Sequence, residues 1–250
     1  MELLWLGTAG FRIGVADGAA LLIDPYCAPS AAIAAGVRAI LLTHGHFDHA
    51  FHVPAWVAAT GASVHCSDSV GKLLGHKGVA PERIVPLNGG QRVETSSIRI
   101  RAIRSIHVRF DTRLLLRTGL RCLPHACTIA PLVLGWPMGD VLGWEIEVDG
   151  VRLAHFGSAG WINAEVRDMK PDIALVPVQG RTDIVDHAAR LVAVLQPRIV
   201  IPQHWDDFCP PLSQLISTAD FTRAVARHCP AARVVVPTLG QPLHAADYLR

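Results

Sequence analysis

The sequence predicts an α/β fold in which two sheets pack face to face and helices cover their outer sides. Short apolar runs with the length of a strand alternate with helical segments in both halves of the 250-residue chain. One such run in each half leads to a histidine: residues 39–42 precede His44, and residues 197–202 precede His204. The second half therefore repeats the arrangement of the first, with a histidine beyond the end of a buried strand.

Composition restricts the class of protein. Half of the residues are apolar and 18% are charged, so the chain is globular, and its length suffices for one domain with a real core. The net charge of +2 is not the large positive charge that is typical of proteins that bind nucleic acid, so a small-molecule substrate is expected. No apolar run reaches membrane-spanning length, and residues 1–5 lack the features of a secretion signal. A cytoplasmic protein without an integral membrane segment is expected.

The remaining elements follow from local patterns, beginning with antiparallel strands at residues 2–6, 11–15 and 20–23. Asp24, which follows the third of these strands, is expected to cap a turn and not to bind metal. Later strands are predicted at 63–66, 84–87, 91–94, 98–105, 141–148, 151–156, 172–178, 197–202 and 233–236. Helices are predicted at 54–59, 67–74, 186–195 and 213–228, and a helix or loose turn at 28–38.

Residues 43–49, Thr-His-Gly-His-Phe-Asp-His, carry the strongest chemical signal. Side chains alternate along extended backbone, so His44 and His46 should point the same way. Asp48 and His49 lie one bend further on and should face a neighbouring point. Imidazole nitrogen and carboxylate oxygen suit divalent cations, so the pattern predicts two cations a few ångströms apart. The alternative is a polar turn whose histidines cap the following helix.

This segment resembles the signature of the metallo-β-lactamase-fold hydrolase superfamily, Thr-His-x-His-x-Asp-His. The resemblance spans residues 1–110 and 140–240 and implies a four-layered αβ/βα sandwich, in one domain over residues 1–250, with metals at one edge. It also implies two sets of three ligands. They are His44, His46 and His107 for one cation, and Asp48, His49 and His204 for the other. Zn²⁺ is expected, as one or two ions, with Mn²⁺ or Fe²⁺ as alternatives.

Two further segments, Gly-Trp-Glu-Ile at 143–146 and Ile-Pro-Gln-His at 201–204, resemble one branch of that superfamily. This branch is L-ascorbate-6-phosphate lactonase-like and N-acyl-phosphatidylethanolamine phospholipase D-like. The resemblance implies that a metal-bound hydroxide hydrolyses a lactone, ester, amide or phosphodiester. Asp48 would orient the attacking water and accept its proton if a second cation is absent.

The chain departs from the superfamily at Ser158, where most members carry an aspartate that bridges two metals. A neutral hydroxyl cannot replace that carboxylate, so the second cation should bind more weakly or not at all. Possible substitutes, none with a spacing argument, are Asp111, Asp140, His155 and Asp183. The alternative function is a metal-binding scaffold or partner-binding protein with little hydrolytic activity. Redox chemistry at a di-iron site ranks last.

Residues 108–140 form an apolar insertion relative to the superfamily pattern, with leucines and arginines spaced by about four residues. They would shape a pocket for an apolar portion of the substrate, cover an interface in a homo-oligomer, touch a membrane surface, or add core. Cys122 and Cys127 flank His125 here, and structural thiols are expected over a redox pair or extra metal ligands.

Two further positions leave a choice between a role at the site and an ordinary loop role. Arg181 would bind an anionic group of the substrate or remain a solvated loop arginine. Asp206 and Asp207 would support His204 or start the next turn.

Overall fold

The computed structural model describes residues 1–94 and 98–249. The strands are β1 (Glu2–Gly7), β2 (Gly10–Gly14), β3 (Ala20–Ile23), β4 (Val37–Leu41), β5 (Ser63–Cys66), β6 (Ile84–Pro86), β7 (Arg92–Glu94), β8 (Ile98–Arg104), β9 (Leu142–Val148), β10 (Val151–Phe156), β11 (Ile173–Pro177), β12 (Ile199–Gln203), β13 (Arg233–Val234) and β14 (Pro242–His244). The helices are α1 (Ala31–Ala34), α2 (Phe47–Ala50), α3 (Val53–Thr60), α4 (Asp68–His76), α5 (Thr112–Cys122), α6 (Ala126–Leu134), α7 (Asn163–Val166), α8 (Ile184–Leu195) and α9 (Thr218–His228).

Within the described residues, the strands form two seven-stranded sheets with related designs. One sheet has the order β14-β1-β2-β3-β4-β5-β6 and the other β13-β12-β11-β10-β9-β8-β7. Each sheet joins an antiparallel portion to a parallel one, which contains β4 in the first sheet and β12 in the second. The strand followed by a histidine, predicted once in each half of the chain, thus occurs once in each sheet. Loops beyond the carboxyl ends of parallel strands commonly form sites.

Among the residues that the structure describes, three apolar cores hold the layers together. The sheets bury Trp5, Phe11 and Trp144 between them. The first sheet packs its outer side on α3 and α4 around Trp56, and the second packs on α8 and α9 around Phe221. Truncating such a buried aromatic to alanine typically costs about 3–5 kcal/mol. The predicted four-layered α/β sandwich is confirmed.

Several boundaries differ from the predicted ones. The last helix begins at Thr218, not at residue 213, because Ser213 Oγ hydrogen-bonds Asp207 Oδ1 (2.5 Å) and keeps that segment in a loop. Helix α4 runs through Gly75, which was expected to end it. Strand β14 was not predicted, since a three-residue edge strand beginning with proline has almost no local signal.

The residues of the predicted insertion fold as α5, a 3-10 turn at Leu123–His125, and α6. None of the residues in these three elements is buried, and several leucines are largely exposed. The segment returns to the body of the protein at Trp136, which is buried in the core around Trp56. Among the described helices, none is both long and apolar enough to cross a membrane.

Candidate metal centre

Three segments bring the six candidate ligands together at one edge of the sandwich. The turn after β4 and helix α2 carry four of them, the end of β8 leads to His107, and the end of β12 leads to His204. Two groups result. They are His44, His46 and His107, and Asp48, His49 and His204. Within each group the potential ligand atoms lie within 4.8 Å of one another.

The first group consists only of imidazoles. His44 Nε2 lies 3.1 Å from His46 Nδ1, and the His107 ring centroid is 5.2 Å from that of His44 and 4.9 Å from that of His46. His107 Nδ1 donates to the Val108 carbonyl (2.8 Å). That bond leaves Nε2 of His107 with a free lone pair, as the outer hydrogen bond of a metal-binding histidine usually does.

These three side chains fit a divalent transition metal. Tetrahedral coordination at about 2.0–2.1 Å separates neighbouring nitrogen ligands by about 3.3 Å, near the spacing of His44 and His46. Burial, followed by the neighbouring imidazoles, holds the pKa of His44 well below its usual value and lowers the pKa of His46 to about 4. Both rings are therefore neutral at pH 7, which is the form that binds a metal.

The second group contains a carboxylate. Asp48 Oδ2 lies 3.0 Å from His204 Nε2 and 3.5 Å from His49 Nε2. Burial alone would raise the pKa of Asp48, but His49 and His204 outweigh it and lower that pKa. Burial likewise works against the charged form of His49, yet Asp48 and Asp24 raise its pKa. The nitrogen of His204 that faces this group is therefore Nε2, whereas its Nδ1 is buried without a hydrogen-bond partner among the described residues.

Asp24 connects the two groups. Its Oδ2 accepts hydrogen bonds from His49 Nδ1 (2.8 Å) and Thr43 Oγ1 (2.6 Å), and its Oδ1 accepts from the Thr43 backbone N–H (2.8 Å). Thr43 Oγ1 in turn accepts from His44 Nδ1 (3.0 Å). One fully buried carboxylate thereby orients a histidine of each group. The expectation that Asp24 only caps a turn missed this role, although its place directly after a buried strand was a signal.

The backbone around the site is strained. His204 and Asp24 have φ angles of 58° and 42°, in the left-handed region that costs non-glycine residues about 1–3 kcal/mol. The His204 N–H donates to the Thr8 carbonyl (2.8 Å), and Asp206 Oδ2 accepts from the Thr8 N–H (2.9 Å). Asp206 therefore supports His204 through Thr8, whereas Asp207 serves the loop that precedes α9.

Ser158 lies beside the first group but belongs to neither. Its Oγ accepts a hydrogen bond from the Val108 N–H (2.9 Å), which fixes the backbone next to His107. A Cβ on the preceding Gly157 would lie 2.0 Å from Thr43 Oγ1, so only glycine fits beside the Asp24 network. The structure does not bring the expected substitutes for a bridging carboxylate into either group; they are Asp111, Asp140, His155 and Asp183.

Each of these four substitutes has other partners. Asp111 caps α5, Asp140 bonds Ser69, and Asp183 pairs with Arg181. His155 is fully buried and hydrogen-bonds the Ala9 carbonyl (2.9 Å).

A cavity of about 260 Å³ borders both groups. Apolar side chains dominate its wall, and five of them come from the 108–140 segment: Val108, Phe110, Leu114, Leu115 and Val133. Arg121 also lines it and donates within the chain only to Thr118 Oγ1 (3.4 Å) among the described contacts. Arg181, for which the sequence left open an anion-binding or an ordinary loop role, pairs with Asp183 (2.6 Å) outside the lining.

Within the part of the chain that the structure describes, the cysteines around His125 belong to neither ligand group. Cys122 and Cys127 are free thiols, the first partly buried and the second exposed.

A family described as a beta-lactamase superfamily domain matches residues 2–204. The chain belongs to this superfamily. A protein of Myxococcus xanthus, described as a UPF0173 metal-dependent hydrolase, is 31% identical over 250 residues, 96% of this chain and 81% of that protein. A relative of the same description from Methylocella silvestris is 35% identical over 222 residues, 83% of this chain and 86% of its own length.

Solved structures share the superfamily fold at lower identity. Igni18, a metallo hydrolase from Ignicoccus hospitalis, has a TM-score of 0.69 at 21% identity, with 97% of each chain covered. An isothiocyanate hydrolase from Delia radicum gut bacteria has a TM-score of 0.65 at 16% identity, with 98% of each covered. CmlA, a diiron beta-hydroxylase from Streptomyces venezuelae, also reaches 0.65 at 13% identity, over 97% of this chain and 54% of its own. These likenesses concern the fold alone.

The superfamily and the fold predicted from residues 43–49 are confirmed. With relatives that share one description, the chain is a metal-dependent hydrolase of the metallo-β-lactamase superfamily. The proposed branch, the identity of the metal, the compartment and the ligand roles remain predictions.

Proposed function

We propose that the two groups hold divalent cations and that the enzyme hydrolyses a small molecule with an apolar portion. The bond cleaved is that of a lactone, ester, amide or phosphodiester. The observation that carries this proposal is the position of both groups, six side chains from three segments, beside one apolar cavity. His44, His46 and His107 would hold one cation, and Asp48, His49 and His204 the other. Zn²⁺ suits this donor set best, with Mn²⁺ or Fe²⁺ as alternatives.

A bound cation of this kind supplies a Lewis acid and a water acidic enough to act as a nucleophile near neutral pH. The protein's own side chains hold the ligands in place and orient the attacking water. Asp48 is ionised and buried at the cavity wall, where it can orient a water and accept its proton. His204 holds Asp48 in place through a hydrogen bond of 3.0 Å, and Asp24 holds His49 through one of 2.8 Å.

Ser158 supports a difference in affinity between the two groups. A hydroxyl that already accepts from Val108 brings no negative charge to a second cation. The group with Asp48 should therefore bind its cation more weakly than the three imidazoles do. Asp48 would then act in catalysis even when the second cation is absent.

The cavity wall supports an amphiphilic substrate. Phe110, Leu114 and Phe208 offer apolar contacts, and about 260 Å³ suits a small molecule. Arg121 provides a cation on that wall without a carboxylate partner among the described residues. The substrate would place its apolar portion against the leucines and an anionic group near Arg121.

The test is turnover of a panel of lactones, esters, amides, phosphodiesters and an isothiocyanate by purified protein. Activity is measured as isolated, after exhaustive chelation, and after adding back Zn²⁺, Mn²⁺ or Fe²⁺. His46→Ala should abolish turnover, whereas His52→Ala, a nearby histidine outside both groups, should retain it. Turnover that survives complete metal removal or His46→Ala would contradict the proposal.

The scaffold function is the second candidate, and Ser158 is the observation that favours it. It predicts bound metal without turnover of any panel member. Elemental analysis of the same samples separates the two: one or two equivalents of metal with turnover favour the hydrolase, and bound metal without turnover favours a scaffold.

A further inference from the structure

Helix α5 presents two chemically different faces. Leu114, Thr118 and Arg121, spaced by four and three residues, line the cavity. Leu116 and Leu120 lie on the opposite side of the helix and are 64% and 73% exposed. The outer face is therefore apolar, uncovered, and separate from the side that faces the candidate metal centre.

Basic residues flank that outer face. Arg113 and Arg117 are one helical turn apart and, at 100° per residue, project beside Leu116 and Leu120. Neither arginine has an ion pair among the described contacts, in contrast to Arg181 with Asp183. Residues 112–139 contain no aspartate or glutamate, so nothing within the segment offsets this charge. Leu123, which is 71% exposed, extends the row of exposed leucines formed by Leu116 and Leu120.

We propose that this outer face of α5 docks on the surface of an anionic lipid bilayer. An apolar stripe edged with arginines is the pattern of helices that lie in the plane of a membrane interface. The leucines would enter the boundary between headgroups and acyl chains, and Arg113 and Arg117 would lie at the lipid phosphates. The opposite face would remain free to border the cavity.

Charge favours the bilayer over a second copy of the chain. A symmetric dimer through this face would bring the same patch of each subunit together. Arg113 and Arg117 would then face a patch that holds arginines and no acidic residue. An anionic bilayer supplies both the apolar layer and the complementary charge.

Vesicle co-sedimentation tests the proposal without any need for turnover. The full-length protein is mixed with vesicles of phosphatidylcholine alone or of phosphatidylcholine with phosphatidylglycerol, at low and high salt. We expect binding to the anionic vesicles that falls at high salt. Leu116→Glu/Leu120→Glu and, separately, Arg113→Glu/Arg117→Glu should each lower the partition coefficient about tenfold or more.

Matched surface changes control for general effects. Leu239→Glu, on an exposed leucine outside α5, and Arg38→Glu, on an exposed strand arginine, should bind vesicles like the unchanged protein. Unchanged thermal unfolding of the α5 variants shows that they fold. Absence of binding to anionic vesicles overturns the proposal, as does equal binding by the α5 variants. A dimer seen by light scattering and lost in Leu116→Glu/Leu120→Glu, without vesicle binding, would make this face a subunit interface instead.

Discussion

The two ligand groups lie side by side yet differ in charge. Their nearest rings, His44 and His49, have centroids 4.0 Å apart. The first group is neutral, since burial and mutual proximity lower the imidazole pKa values. The second contains an ionised Asp48 and a histidine whose pKa is raised. Two groups at the same edge of the sandwich can therefore differ in their affinity for metal. Substitutions in one group should change metal binding by that group more than by the other.

The largest effects are expected from two separate substitutions, each of which removes one ligand from one group. His107→Ala should remove the tightly bound cation and lower kcat/KM by more than the 10–100-fold loss typical of an outer partner. His204→Ala should remove only the weaker cation and leave the first in place. Elemental analysis and kcat/KM of both variants check this. Equal loss of both metals in both variants would show that the groups are not independent.

Asp24→Asn is expected to rank next. The variant keeps the shape of the side chain but removes the charge that holds His49 directly and His44 through Thr43. Metal affinity should fall about 10–100-fold, and more for the group of His49. Zinc titrations with a competing chelator measure it. Asp207→Asn, whose partner is Ser213, is the matched control and should not change affinity.

The pH dependence of stability should differ in sign between His46 and His49 in the metal-free protein. Unfolded histidines take up protons near pH 6.5, whereas folded His46 does so only near pH 4. The unfolded chain thus binds more protons in this window, and the free energy of unfolding should fall as pH drops from about 6.5 to 4. His49 has the opposite sign, because its raised pKa adds stability at low pH that is lost as pH rises through that pKa.

Denaturant unfolding of chelator-treated protein at several pH values measures this slope. His46→Ala should flatten it, since the substituted position no longer titrates. An unchanged slope in that variant would mean that His46 titrates normally in the folded protein.

Ser158→Asp should make the metal affinities of the two groups more similar. A carboxylate beside the two groups should raise affinity for the second equivalent about tenfold or more, with little change for the first. Calorimetric titration with Zn²⁺ resolves the two steps. Ser158→Ala controls for loss of the bond to Val108 and should leave the second step weak.

The smallest effect is expected at the cavity wall. Arg121→Ala should raise KM several-fold for substrates with an anionic group and leave neutral substrates unchanged, because one exposed charge contributes little. Arg181→Ala, already paired with Asp183, is the control. Equal KM changes for charged and neutral substrates would assign Arg121 a structural role.

The sequence predicted site residues best where the interacting residues are close to each other along the chain. Residues 43–49 predicted four clustered side chains because they are neighbours along the chain. His107 and His204 could be placed only through resemblance, since their partners lie more than 50 residues away. Asp24 was underestimated because its contacts with Thr43 and His49 depend on parallel pairing of β3 with β4. Arg121 and Arg181 look alike in sequence, and only the packing of α5 distinguishes them.

Anomalous diffraction from zinc-soaked crystals, recorded at the zinc edge, tests the central claim most directly. We expect a strong peak about 2.1 Å from nitrogens of His44, His46 and His107, and a weaker one among Asp48, His49 and His204. No peak at the three imidazoles, or a stronger peak at the group with Asp48, would contradict it.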